Sequence, residues 1–264
     1  RIRRLGWLPD LPKLPGEKLD WNALDLLGSD PPPARSDNRD LVVEVLNQGA
    51  VNSCVANAGF QAVRASHVRQ GDPAPPLGSR LWGYYLARRQ HGGQDKDEGT
   101  HIRFFFNAIN KLGFPPESAF PYAEDDETIR KPPPTAAFTA AHDQRKPTIY
   151  RSILDQGSRR VDAVKRALGQ RRLVVFGTFV NQAFVDGQLG DGPVGPPSLS
   201  EVLSNRIGHS MCLVDHEGDV FRVVNSWGEG WGEGGYCRFS ADYVGWLGVQ
   251  DLWIVEQAPL FSGR

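Results

Sequence analysis

The chain has 264 residues, 40% hydrophobic and 23% charged, which suits a soluble globular protein of one large domain or two small lobes. Thirty Lys and Arg side chains face 31 Asp and Glu, a net charge of −1, so no global field draws the chain to nucleic acid or to an anionic membrane. Three cysteines, Cys54, Cys212 and Cys237, are too few and too odd for a disulfide framework, lack the Cys-x-x-Cys spacing of a zinc site, and leave at least one thiol free.

The first residues, RIRRLGWLPDLPKLPG, are basic but broken by prolines, and they lack the continuous apolar centre of a signal peptide. The missing initiator Met suggests a trimmed chain. Residues 1–40 show no sustained period and read as an extended arm over a globular body, closed by Pro31-Pro32-Pro33. Three helices are predicted next. Cys54 to Gln70 has apolar or small residues at Val55, Ala58, Ala62, Ala65 and Val68, with Asn52 and Ser53 as cap chemistry and Gly71 as the stop. Ser79 to His91 is stopped by Gly92-Gly93, and Thr100 to Leu112 has a threonine cap and ends at Gly113. Residues 123–148 are rich in charge and proline and read as a surface connection, compatible with a crossing between two lobes.

The second half changes period. One helix is predicted at Ser158 to Leu168. Strands are predicted at Leu173–Val180, His209–Asp215, Val220–Val224, Tyr236–Phe239 and Leu252–Val255, with residues 215–219 as a hairpin turn. The longest mostly apolar run, Leu173 to Val180, is too short to span a bilayer. A helical half followed by a strand half indicates an α+β fold.

Cys54 stands where the first helix should begin, and unpaired N–H groups there favour a thiolate. On position alone the commoner reading is a small buried hydrophobe. His209 and Asn225 fall near the same end of the predicted hairpin. An asparagine oxygen can accept from one imidazole nitrogen and leave the other to meet a thiol. Each residue alone could be a plain turn residue; together with a helix-start cysteine they form a nucleophile, base and orienter.

Gln48-Gly49-Ala50-Val51-Asn52-Ser53-Cys54 resembles the papain-like cysteine peptidase motif Gln-Gly-x-Cys-Gly-Ser-Cys-Trp, with Gln48 and Cys54 six residues apart as in the family. Gly208-His209, and the run from Asn225-Ser226-Trp227-Gly228 through Trp231-Gly232 to Gly235-Tyr236, match the family's His and Asn-Ser-Trp-Gly blocks, with His209 and Asn225 at the family's spacing of 16. Asp97–Arg103 and Pro116–Tyr122 look like prokaryotic members, and the resemblance runs over residues 41–256. It implies a papain-like two-lobe α+β fold: a mainly helical lobe over 41–140 with the nucleophile, and an antiparallel, β-barrel-like lobe over 141–264 with His209 and Asn225.

The roles it implies are Cys54 as nucleophile, His209 as base and then acid, Asn225 as orienter, and Gln48 as oxyanion donor beside the Cys54 N–H. Trp227 would shield the His–Asn bond, with core packing as its other reading, and Ser53 would support the site. Gly99 would offer backbone to an extended substrate on the cleft wall. Thr100, Phe176 and Gly208 would lie near the pocket for the second residue before the cut, with Phe176 equally readable as strand core. Val51, Asn52 and Val55 depart from the family's Cys, Gly and Trp and leave the cleft near Cys54 open in shape. Residues 1–40 do not resemble the family's inhibitory propeptide.

Gly230–Gly235 formally matches a dinucleotide fingerprint, but a strand follows where a helix is required. Asp215, His216 and Glu217 are adjacent turn residues and read as solvated, and Cys212 and Cys237 read as core. No metal and no cofactor are expected. The expected partner is a peptide or protein substrate, for a monomer in a reducing compartment such as the cytoplasm or delivered there as a secreted effector. The same residues would serve a dedicated effector-type protease, a deamidase or a transpeptidase, and the connection at 123–148 and the insertion at 186–205 would narrow the cleft. A non-catalytic papain-like binding module is the third reading.

Overall fold

The computed structural model describes residues 5–10, 22–143 and 147–261. Its elements in chain order are α1 (Leu24–Leu27), β1 (Arg35–Ser36), α2 (Cys54–Arg69), α3 (Arg80–Arg89), α4 (Ile102–Leu112), α5 (Asp126–Arg130), α6 (Thr135–Asp143), β2 (Ile149–Ile153), α7 (Gly157–Gly169), β3 (Val174–Val180), α8 (Gln182–Val185), α9 (Leu199–Asn205), β4 (Ile207–Glu217), β5 (Val220–Val224), β6 (Tyr236–Ser240), α10 (Ala241–Gly245) and β7 (Val249–Gln257). The strands form one antiparallel sheet in the order β2-β7-β3-β4-β5-β6, with β1 paired to the far end of β4.

Period-two alternation sorts the core into two halves. Val175, Cys212, Val214, Trp253 and Val255 join the core that holds α2, α3 and α4. Their neighbours Val174, Phe176, Met211, Leu213, Leu252 and Ile254 face the opposite core with α7 and Tyr243 of α10. Helix α2 is buried along most of its length and packs on β4 and β7 as well as on α3 and α4. Gly59 on α2 and Gly83 on α3 make room for Phe105: a Cβ at either would come within 2.1 and 2.5 Å of that ring.

The predicted helices at 54–70, 79–91 and 158–168 and the predicted strands all form, with ends shifted by a few residues. Four local expectations are corrected. Ser53 precedes α2 but its side chain does not cap it, and α4 starts after His101 rather than on a threonine cap. Thr100 is instead drawn into a bridge with Trp7. The connection at 123–148 carries two helices: Asp125 caps α5 by accepting from the Thr128 N–H at 2.7 Å, and the alanine-rich run after Pro132-Pro133-Pro134 forms α6. The hairpin turn narrows to Gly218-Asp219, because β4 continues to Glu217.

The arm expected over 1–40 is, where described, attached at three places. Residues 5–10 lie against Thr100 and Gly208, α1 packs on α7, and β1 extends the sheet. The rest of that segment, 1–4 and 11–21, lies outside the described residues. The insertion at 186–205 runs along the outer strand: Val194 bridges Phe239 of β6. Among the described residues, no helix is long and apolar enough to cross a membrane.

Candidate active site

Cys54 is the first residue of α2 and is fully buried. Burial pushes its thiol up to about 12, against the pull of the Ser210, Val55 and Cys54 backbone N–H groups that point at the sulfur. Enclosure thus opposes the thiolate that the helix start favours. Ser210 is the residue after His209, so the thiol reaches β4 beside the histidine.

His209 is buried, and its Nε2–H donates to Asn225 Oδ1 at 2.7 Å. An amide oxygen can only accept, so this bond places the proton on Nε2 and leaves Nδ1 as the basic nitrogen. That Nδ1 is buried and without a hydrogen-bond partner. Burial pulls His209 down to about 4, opposed by the Asn225 contact, so the resting imidazole is neutral. Asn225 Oδ1 also accepts from the Ser226 N–H at 2.7 Å. The Trp227 ring stacks on His209, centroids 4.5 Å apart and planes at 19°, and covers the imidazole from water.

Gln48 is buried and tied to the same loop. Its Nε2 donates to Val51 O at 2.8 Å, its Oε1 accepts from the Ser226 hydroxyl at 2.7 Å, and its backbone N–H donates to Ser226 O. The Tyr122 hydroxyl, 2.9 Å from Gln48 O, and Ser53 Oγ share a 2.6 Å contact, while Ser53 Oγ also accepts from Asn57 Nδ2. Arg80 lies 3.8 Å over the Tyr122 ring and pairs with Glu117. Tyr122 and Arg80 thus brace the segment before Cys54; Tyr122 ends the block that resembles prokaryotic members, while no motif marks Arg80.

The wall residues are occupied by residues 5–10 of the same chain. The Gly6 and Trp7 N–H groups both point at Gly208 O, the Thr100 N–H donates to Gly6 O at 2.8 Å, and the Leu8 N–H donates to Thr100 O at 3.0 Å. Leu5 N–H donates to Asn52 Oδ1 at 3.1 Å, which gives the departure at Asn52 a partner. His101 Nδ1–H donates to Pro9 O, and Asp10 pairs with Arg103 at 2.9 Å.

Glycines are shaped to this segment. A Cβ at Gly99 would lie 2.1 Å from Gly6 O, one at Gly208 2.4 Å from Trp7 O, and one at Gly177 2.0 Å from the Trp7 ring. Gly99, Thr100 and Gly208 are brought together against Gly6 and Trp7. Phe176 is not: it is buried against Phe239 in the opposite core, and its strand neighbours Gly177 and Phe179 face the cleft. Parity along β3 decides this, and no motif sets that parity. The Trp7 ring is only 2% exposed and ends on Asp251, whose Oδ2 accepts the indole N–H at 3.0 Å and the Asp10 N–H at 2.9 Å. Burial, then the nearby Asp10 charge, raises Asp251 to about 7, against the Trp7 and Asp10 N–H groups and Arg103.

Among the described residues, no group of three His, Cys, Asp or Glu side chains is placed to hold a metal ion. Cys54, Cys212 and Cys237 are all buried and free.

The sequence profile described as papain family cysteine protease matches residues 32–255. An uncharacterized peptidase C1-like protein of Acanthamoeba polyphaga mimivirus is 31% identical over 219 residues, covering 80% of this chain and 69% of the relative. A cathepsin L-like protein of Caenorhabditis elegans is 25% identical over 233 residues, and the match spans 82% of this chain and 62% of that protein. Among solved structures, xylellain, a cysteine protease from Xylella fastidiosa, superposes with a TM-score of 0.78 at 25% identity, covering 98% of both chains. Digestive procathepsin L 3 of Tenebrio molitor shares the fold at a TM-score of 0.66 and 19% identity, over 90% of this chain and 74% of that one.

Proposed function

The chain belongs to the papain family of cysteine proteases, and we propose that it hydrolyses peptide bonds with Cys54 as nucleophile, His209 as general base and acid, and Asn225 as the orienter of His209. The observation that carries this reading is the 2.7 Å bond from His209 Nε2–H to Asn225 Oδ1, which leaves a basic, unpartnered Nδ1 in the same buried site as the thiol.

In this reading Nδ1 takes the Cys54 proton as the sulfur attacks the substrate carbonyl. The imidazolium that forms keeps its Nε2–H on Asn225, a bond that strengthens with the charge. The tetrahedral oxyanion is met by the Cys54 N–H at the start of α2 and by a Gln48 side-chain N–H. Preorganised donors of this kind are commonly worth about 2.7–4 kcal/mol each. The Ser226 hydroxyl on Gln48 Oε1 sets which end of that amide carries the N–H groups. His209 then gives its Nδ1 proton to the leaving amine, and a thioester to Cys54 remains. Water enters, His209 removes its proton, and the thioester is hydrolysed.

Wild type, Cys54→Ala and His209→Ala should be compared on a broad fluorogenic peptide library. Cleavage of many sequences by the wild type and of none by either variant supports a general peptidase. Cleavage that survives Cys54→Ala contradicts the assignment, and cleavage of a single sequence moves it to a dedicated enzyme.

A further inference from the structure

Residues 5–10 are a ligand of the cleft supplied by the chain itself, and they show what the cleft binds. The backbone of the segment is gripped without regard to side chain, through Gly208 O, both polar groups of Thr100, and Asn52. Selectivity must come from the one side chain that is swallowed, Trp7. Its slot has a floor of Gly177, where any Cβ would collide with the indole, and a wall formed by the edge of Phe179, 5.4 Å away. The far end is polar: Asp251 Oδ2 meets the indole N–H at 3.0 Å. Asp251 sits at φ +54°, in the left-handed region, at the break in the pairing of β3 with β7. A carboxylate facing an otherwise apolar slot penalises occupants that bring no donor.

We propose that Asp251 makes this slot selective for an indole-type side chain, an aromatic that fills it and donates an N–H, and that Trp7 occupies it in competition with substrate. A substrate side chain seated there lies beside His209, whose neighbour Gly208 holds the backbone. For turnover this rests on the cysteine-peptidase reading; for binding it does not.

The test uses a labelled hexapeptide of the segment's own sequence, Leu-Gly-Trp-Leu-Pro-Asp, and the same peptide with Phe for Trp. Binding is measured by fluorescence anisotropy to wild type, Trp7→Ala and Gly6→Val, each in full-length protein. Gly6→Val serves if Trp7→Ala does not fold, since a Cβ at Gly6 would lie 1.9 Å from Asn52 O and expel the segment without touching the slot. The expected result is binding to either variant at least tenfold tighter than to wild type. Measured above pH 7, where Asp251 is ionised, the Trp peptide is expected to bind about tenfold tighter than the Phe peptide, as a hydrogen bond to a charged acceptor implies. Adding Asp251→Gly, which tolerates the positive φ, should bring the Trp and Phe peptides within about twofold. Equal binding of the two peptides to a variant with Asp251 intact, or a preference that survives Asp251→Gly, overturns the selectivity. Wild type binding as well as the variants overturns the competition. Every protein in this assay also carries Cys54→Ala, so no bond is cleaved and a failure here is separate from a failure of Cys54 to act as nucleophile.

Discussion

Replacing Asn225 by Ala removes the oxygen that accepts two buried N–H donors, His209 Nε2–H and the Ser226 N–H, both at 2.7 Å. Two consequences follow, on different scales. Folding loses about 1–3 kcal/mol for each donor left without a partner, less whatever a water entering the gap restores. Catalysis loses the bond that strengthens as His209 becomes charged, about 1.5–3 kcal/mol, which lowers kcat/KM by roughly 10- to 150-fold. The proton is also released to move to Nδ1, the nitrogen that must take the thiol proton, and this deepens the loss in kcat. Asn225→Asp keeps an acceptor and places a negative charge on the imidazole, so it should retain more activity than Ala and raise the His209 pKa from its depressed value. The assay is steady-state cleavage of a fluorogenic peptide in the Trp7→Ala background, alongside a denaturant titration of each variant. A kcat/KM for Asn225→Ala within threefold of its parent, with the stability loss present, would refute the argument that this bond sets the working tautomer.

Other predictions rest on separate contacts. Asp251, raised to about 7 under the segment, binds a proton more tightly in the covered form, so its support of that form is full below about pH 4 and lost as pH rises through about 7. The inactivation rate of wild type relative to Trp7→Ala should therefore climb with pH, and a flat or falling ratio would contradict this. Burial holds Cys54 up at about 12, so alkylation by iodoacetamide should be slow in wild type, and Gly6→Val should move the thiol titration downward. Tyr122→Phe removes the hydroxyl that joins Gln48 O to Ser53 Oγ and should lower kcat more than it changes KM. Gly59→Ala drives a methyl to within 2.1 Å of the Phe105 ring and should lower stability by about 1–3 kcal/mol in denaturant titration, leaving the pH profile of activity in place.

The elements carrying Cys54, His209 and Asn225 were legible because each announces itself locally. The helix at 54–70 has a period and a glycine stop, and the strands that carry His209 and Asn225 alternate and meet at a short turn. The resemblance supplied the roles by its spacings, and Gln48 and Trp227 fall beside the residues those roles require. What escaped depends on contacts between distant residues or on parity. Trp7 reads as one aromatic in a proline-rich arm, and its partner Asp251 lies 244 positions away. Phe176 and Gly177 cannot be told apart as cleft residues until the register of β3 on β4 fixes which face each presents. Helices α5 and α6 are too short for a period to show, and one is set by a single cap at Asp125. The acidity expected of Cys54 came from its place at a helix start. That local rule is opposed by burial, which pushes the thiol up.

The proposed role of Cys54 is that of a nucleophile activated by His209. Intact-mass analysis after treatment with an epoxysuccinyl probe tests it most directly, on Trp7→Ala and on the same protein carrying Cys54→Ala or His209→Ala. A single adduct is expected on the parent and none on either double variant. An adduct that persists without Cys54, or that forms at the same rate without His209, would contradict it.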